Sequence, residues 1–129
     1  MIYAYYIDPQ TQTAKAVEID PDLDTYYEML HCRCIDIANR RIGRKRYDII
    51  VVDEGLLDEG LLIDDPLISA IGCLGNPMLV GALLIVNHDE EGAMTSLTSN
   101  DLAYIARNIT HMGTRKHPEG WPMLCNVEY

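Results

Sequence analysis

The sequence predicts an α+β domain with a mostly antiparallel sheet of about five strands and two helices, in the order ββαββ-loop-βα. Short runs of β-branched and aromatic residues lie between turn-forming residues, as at 2–7 and 47–53. Two other segments, near 23–30 and 97–109, carry apolar residues at helical spacing. Because strands follow one another along the chain more often than they alternate with helices, we expect antiparallel pairing.

The N-terminal third predicts a hairpin followed by a helix. Residues 2–7 are rich in Ile and Tyr, and residues 8–13 contain Pro and polar residues typical of a turn. Residues 14–19 alternate, with Ala14, Ala16 and Glu18 on one face and Lys15, Val17 and Ile19 on the other. Asp20 is the expected N-cap of the helix, Pro21 suits its first position, and the helix should end near His31.

A second hairpin is predicted around Gly43. Residues 34–38 and 47–53 form its strands, and Gly43 is expected in the turn. Six of the ten cations lie in this region, in the fourteen residues from 33 to 46. The predicted tip of the hairpin is therefore basic, although the domain as a whole is acidic.

The remaining chain is expected to add one strand and one helix. Residues 53–77 are rich in Asp, Gly and Leu, and we expect a short irregular helix near 67–71. The apolar residues 78–87 predict a central strand. The second helix should begin at 97–101 with Thr98 or Ser99 as its cap, and Gly113 should stop it. We assign 1–113 to a single domain and 114–129 to a C-terminal tail that packs on the domain or on a partner.

Composition excludes several classes of protein. A chain of 129 residues with 48% hydrophobic residues fits one globular domain. No apolar run approaches the roughly 18 residues of a membrane span, and no signal peptide is evident. We therefore expect a soluble cytoplasmic protein that does not bind membranes, with the cysteines at 32, 34, 73 and 125 reduced. The net charge of −10 opposes nucleic-acid binding through the general surface.

The motifs that could carry chemistry are weak. His31, Cys32 and Cys34 are of zinc-binding types, but their spacing matches no zinc motif. Residues 20–31 resemble a calcium loop but have Thr25 and His31 where Gly and Glu are required. No nucleophile elbow, phosphate loop or dinucleotide motif is present. We assign no catalytic residue, metal or cofactor, and the sequence favours a binding protein over an enzyme.

The candidate binding residues are charged and lie close together in the sequence. They are the cations of the predicted tip and the acids that follow the next strand: Arg40, Arg41, Arg44, Lys45, Arg46, Asp53 and Glu54. The cations could contact phosphates. They could equally form an exposed hairpin end that prevents edge pairing.

Several segments, in order, resemble a family known only as a domain of unknown function, numbered thirty-eight forty-six. These are the strand at 16–20, the strand and acidic-Glu-Gly turn at 47–55, Ile71-Gly72, the strand ending at 84–86, and the helix entry at 96–98. The family's Pro-x-Asn-Arg-like stretch is absent, since Asp65-Pro66-Leu67-Ile68 occupies its place. The resemblance implies no activity. It implies a bacterial context, because members are encoded mostly by phages, plasmids and conjugative elements.

Three functions remain open at this point. The first is an accessory protein of a mobile element that binds a host or mobile-element protein and modulates a host factor or defence. The second is a small-molecule-binding protein or enzyme with a pocket formed by the 53–77 loop against His88. The third is nucleic-acid binding through the basic hairpin at 40–46. A homodimer is compatible with each, because edge strands are expected to stay open.

Overall fold

The structure is a computed structural model that describes residues 1–52, 67–113 and 118–129. Along the chain its elements are β1 (Ile2–Asp8), β2 (Thr13–Ile19), α1 (Leu23–Leu30), β3 (Ile35–Ile42), β4 (Lys45–Val52), β5 (Ile68–Ile71), β6 (Pro77–Val80), β7 (Leu83–His88), β8 (Met94–Thr95), α2 (Ser99–Arg107), β9 (Ile109–Met112), β10 (Trp121–Leu124) and β11 (Val127–Glu128). In the described part of the chain, no helix is both long and apolar enough to cross a membrane.

The strands form two sheets. The larger has seven strands in the order β11-β3-β4-β7-β1-β2, with β8 paired to the end of β7. All of its pairings are antiparallel. The smaller sheet has the order β6-β5-β10-β9, and its β5–β10 pair is parallel. The α+β class and the mostly antiparallel pairing are therefore confirmed.

The large sheet has an apolar layer on each face. One layer joins β1, β4 and β7 to the smaller sheet and to α2, through residues such as Ile49, Leu79 and Ile105. The other layer packs α1 against the same three strands, through Tyr26 and Leu30. Alternate residues of β4 and β7 enter opposite layers, so both strands are buried on both faces. This burial explains why they read as nearly continuous apolar runs.

The prediction of about five strands was too low, and several predicted elements differ from the structure. Residues 68–71 form β5 rather than a helix, because Ser69, Ala70 and Ile71 are buried between β6 and β10. The expected strand at 78–87 is divided at Gly81, whose φ of +79° turns the chain between β6 and β7. The second helix ends at Arg107, well before Gly113, since residues 109–112 pair with β10 as β9.

The helix ends follow local capping chemistry. The cap of α1 is Asp22 rather than Asp20, because Asp22 is extended and its carboxylate accepts from the Thr25 N–H at 2.8 Å. The end of α1 at His31 is confirmed, with His31 in the left-handed conformation at φ +54°. Thr98 is confirmed as the cap of α2, in a capping box with Asp101.

Candidate functional site

The basic hairpin forms as expected, but its cations do not gather at one tip. Gly43 takes φ +62° in the turn between β3 and β4. Across the two strands Arg41 pairs with Arg46 on one face of the sheet, while Arg40 and Lys45 lie on the other. The structure therefore brings the cations to one hairpin and divides them between its faces.

Lys45 forms an ion pair with a buried carboxylate on α2. Its Nζ contacts Oδ1 of Asp101, whose side chain is 1% exposed. The same carboxylate accepts from the Tyr47 hydroxyl at 2.9 Å, from Asn87 Nδ2 at 2.8 Å and from the Thr98 N–H at 3.0 Å. Burial alone would raise the pKa of Asp101, but these donors outweigh it and hold the pKa well below its ordinary value. This network joins the start of α2 to the large sheet.

Two of the arginines contact the end of the described chain. Arg46 donates to Asn39 Oδ1 at 3.0 Å and to the backbone oxygen of Tyr129 at 3.2 Å. The guanidinium of Arg40 lies 4.6 Å from the centre of the Tyr129 ring. Thus the side chains of three of the five predicted binding cations make contacts within the fold. Arg40 is half-buried, and the other four cations, Arg41, Arg44, Lys45 and Arg46, are exposed.

The remaining predicted site residues are the two acids, Asp53 and Glu54, and the residues of the predicted pocket. Asp53 and Glu54 lie outside the described residues, as does most of the 53–77 loop. His88 is at the far end of β7, where its Nδ1 lies 3.3 Å from Asp48 Oδ2. The cavity that Leu67 does line includes His31 and Asp8. Among the described residues, His88 is therefore paired with Asp48 of β4, and the pocket expected between His88 and the 53–77 loop stays a prediction.

A cavity of about 170 Å³ lies where the β1–β2 turn meets the end of α1. Asp8 is 3% exposed and lines it. Its carboxylate accepts from the Tyr6 hydroxyl at 2.9 Å and from the Gln10 N–H at 3.0 Å, and His31 Nε2 is 4.0 Å away. Burial first, and then Asp8, raise the pKa of the Tyr6 hydroxyl well above its ordinary value. Sequence reasoning missed this group, although Tyr6 and Asp8 share one face of a strand.

A larger open groove, of about 480 Å³, separates β2 from α1. Tyr6, Val17, Ile19 and Met29 give it an apolar lining, and charged side chains including Lys15 and Glu28 also line it. His31 borders both this groove and the cavity at Asp8.

The outer edge of β2 has no paired strand among the described residues, because β2 pairs with β1 alone. Both backbone groups of Tyr3 bond to residues 96 and 97, and so point away from β2. Tyr3 is opposite Glu18 in the β1–β2 register. Since hydrogen-bonded and non-hydrogen-bonded pairs alternate, the N–H and C=O groups of Ala14, Ala16 and Glu18 point outward. Sequence alternation had already placed these three residues on one face.

The four cysteines are free thiols. Burial raises the pKa of Cys32 and of Cys125, and the Cys125 thiol donates to the Asn108 carbonyl at 2.9 Å. Cys73 is exposed, and the neighbouring Glu128 raises its pKa. Over residues 1–52, 67–113 and 118–129, no three His, Cys, Asp or Glu side chains converge on a point that could hold a metal ion.

Comparison with known proteins yields one match. The model of a family described as a domain of unknown function, DUF3846, matches residues 2–110. No curated protein matches this chain. No solved structure matches it either.

Proposed function

The chain belongs to the DUF3846 family, and from this premise we propose that it is a protein-binding accessory protein of a bacterial mobile element. Its partner is a host or mobile-element protein, and an extended segment of that partner adds to the free edge of β2. The observation that carries the proposal is the row of outward backbone groups at Ala14, Ala16 and Glu18 beside an open groove.

The edge of β2 supports strand addition in two ways. Three residues there offer both an N–H and a C=O, so an added strand gains about six hydrogen bonds, each with a net value of roughly 0.5–1.5 kcal/mol. Ala14 and Ala16, whose backbone groups point outward, have small side chains that leave room for an added strand. The groove beside the strand then gives specificity by accepting a side chain.

The charges around the groove favour a basic partner with an aliphatic anchor. Val17 and Met29 line the groove and suit an aliphatic side chain. Glu18 and Glu28 lie at the groove, and three further acids, Asp20, Asp22 and Asp24, are exposed near the start of α1. The whole chain carries a net charge of −10, which attracts a basic partner. The partner segment is therefore extended, with one aliphatic residue flanked by Lys or Arg.

The test uses a displayed library of random linear peptides selected against the wild-type protein. Affinities of the selected peptides are then measured for two variants at the exposed position Ala16. Ala16→Pro removes an outward N–H without changing the pairing with β1, and Ala16→Thr is the matched control that keeps the N–H. We expect about a tenfold weaker affinity for Ala16→Pro, the equivalent of one lost hydrogen bond, and little change for Ala16→Thr.

Two results would contradict the proposal. One is equal peptide affinity in Ala16→Pro and Ala16→Thr when both retain the wild-type melting temperature. The other is a wild-type homodimer in light scattering that Ala16→Pro converts to a monomer, because β2 would then be occupied by a second copy. Selected peptides without the basic and aliphatic pattern would refute the partner chemistry alone.

A further inference from the structure

From the cavity at Asp8 we infer a second binding site, independent of the β2 edge, that takes a short alkylammonium group. The cavity lies below the β1–β2 turn and is bounded by the ends of α1, β4 and β6. None of the three residues that form the outward edge of β2 lines it. Binding here and peptide binding at β2 can therefore be tested separately.

The Asp8 carboxylate is buried beside the cavity. Its two described hydrogen bonds come from the neutral donors Tyr6 and Gln10. Within the described residues, the only basic group within 4.0 Å of Asp8 is His31, beyond normal hydrogen-bond length. The sequence from 53 to 66 contains six acids and no basic residue. A buried charge is stabilised when a counter-charge reaches it, and the cavity gives a small cation that access.

The cavity is small, and its lining includes both polar and apolar residues. A volume of about 170 Å³ accommodates roughly five or six water-sized groups, at about 30 Å³ for each. Leu30, Val52, Leu67 and Ala82 contribute apolar walls to the same cavity. A ligand that fits both features has one ammonium head and a chain of about four carbons. A free amine and the side chain of a lysine share this chemistry.

The probe is n-butylammonium, titrated into the wild-type protein and followed by amide chemical shifts. We expect saturable shifts centred on Gln10, Gly81 and Ala82. Asp8→Asn should weaken binding at least tenfold, because the ammonium loses its charged acceptor. Glu90→Gln removes the same charge from an exposed loop and should leave the affinity unchanged. n-Butanol, which has the same length without the charge, should not saturate.

If Asp8→Asn does not fold, a second variant tests the same site. Ala82→Leu fills the cavity and leaves Asp8 in place, so it should abolish the butylammonium shifts. Nα-acetyl-lysine methylamide distinguishes the two ligand sources: saturation by this probe assigns the site to a protein lysine, and its exclusion assigns the site to free amines. The absence of saturable shifts at 20-fold excess over roughly millimolar protein, or unchanged binding in Asp8→Asn or Ala82→Leu, overturns the proposal.

Discussion

The Asp101 network gives a quantitative prediction about stability. Asp101→Asn preserves the shape of the side chain but replaces an acceptor with an amide donor, facing donors from Lys45, Tyr47 and Asn87. Breaking a buried ion pair typically costs about 3–5 kcal/mol. Because Lys45 is half-exposed and can return to water, we expect the lower end, about 3 kcal/mol of unfolding free energy. For a domain of this size that corresponds to a fall of roughly 10 °C in melting temperature.

The assay is equilibrium unfolding in urea at neutral pH, with two comparison variants. Lys45→Met removes the cation but leaves the other donors on Asp101, so its loss should be smaller, about 1–2 kcal/mol. Glu90→Gln changes an exposed acid and should alter the unfolding free energy by less than about 0.5 kcal/mol. A loss below about 1 kcal/mol for Asp101→Asn, or one no larger than that of Lys45→Met, would refute the reasoning.

Two further predictions concern pH and the hairpin turn. Because the pKa of Asp101 is lower in the folded chain than its ordinary value of 3.8, its stabilisation is complete above that value and declines as the pH falls towards the folded pKa. The difference in unfolding free energy between wild type and Asp101→Asn should therefore shrink below about pH 4, and a constant difference down to pH 2 would contradict this. At Gly43 (φ +62°) an added Cβ would meet the Tyr104 hydroxyl, whereas at Gly75 (φ +82°) it would meet nothing within 4 Å. Gly43→Ala should thus cost about 2–3 kcal/mol and Gly75→Ala about 1 kcal/mol, and equal melting temperatures for the two variants would show that the Tyr104 contact is unimportant.

The parts of the fold that sequence reasoning recovered depend on local interactions. The cap at Thr98 and the turn at Gly43 follow from a hydrogen bond and a backbone dihedral within a few residues. The face alternation of β2 follows from the twofold repeat of a strand. These features do not depend on where the rest of the chain lies, and so the residues themselves predict them.

The smaller sheet could not be predicted because its strands depend on distant pairing. Trp121–Leu124 contains Pro122, which argues against a strand, yet it lies between β9 and β5. Its indole N–H donates to the carbonyl of Ile68 at 2.6 Å, 53 residues away. Strands of only four residues have little intrinsic β-propensity, so tertiary contacts determine whether they form.

The candidate sites were missed for a related reason. Asp8 looks like an ordinary turn residue before Pro9, and only the packing of α1 over β1 buries it. The outward edge of β2 follows from the bonds of Tyr3 to residues more than 90 positions away. The alternating residues of β2 were visible in the sequence. The sequence does not show which of them direct their backbone N–H and C=O groups away from β1. That direction depends on the residues that bond to the other side of β1.

Side-chain contacts within the fold determine which of the clustered charges are available to bind a partner. Arg40, Lys45 and Arg46 belong to the basic cluster in the sequence, yet their side chains contact Tyr129, Asp101 and Asn39. A cation held by the fold must give up those contacts before it can bind a phosphate. Asp24 and Glu28 on α1 are exposed, whereas the nearby Asp22 is held by its capping bond to Thr25. We therefore propose the acidic side beside β2, rather than the basic hairpin, as the surface for a partner of basic character.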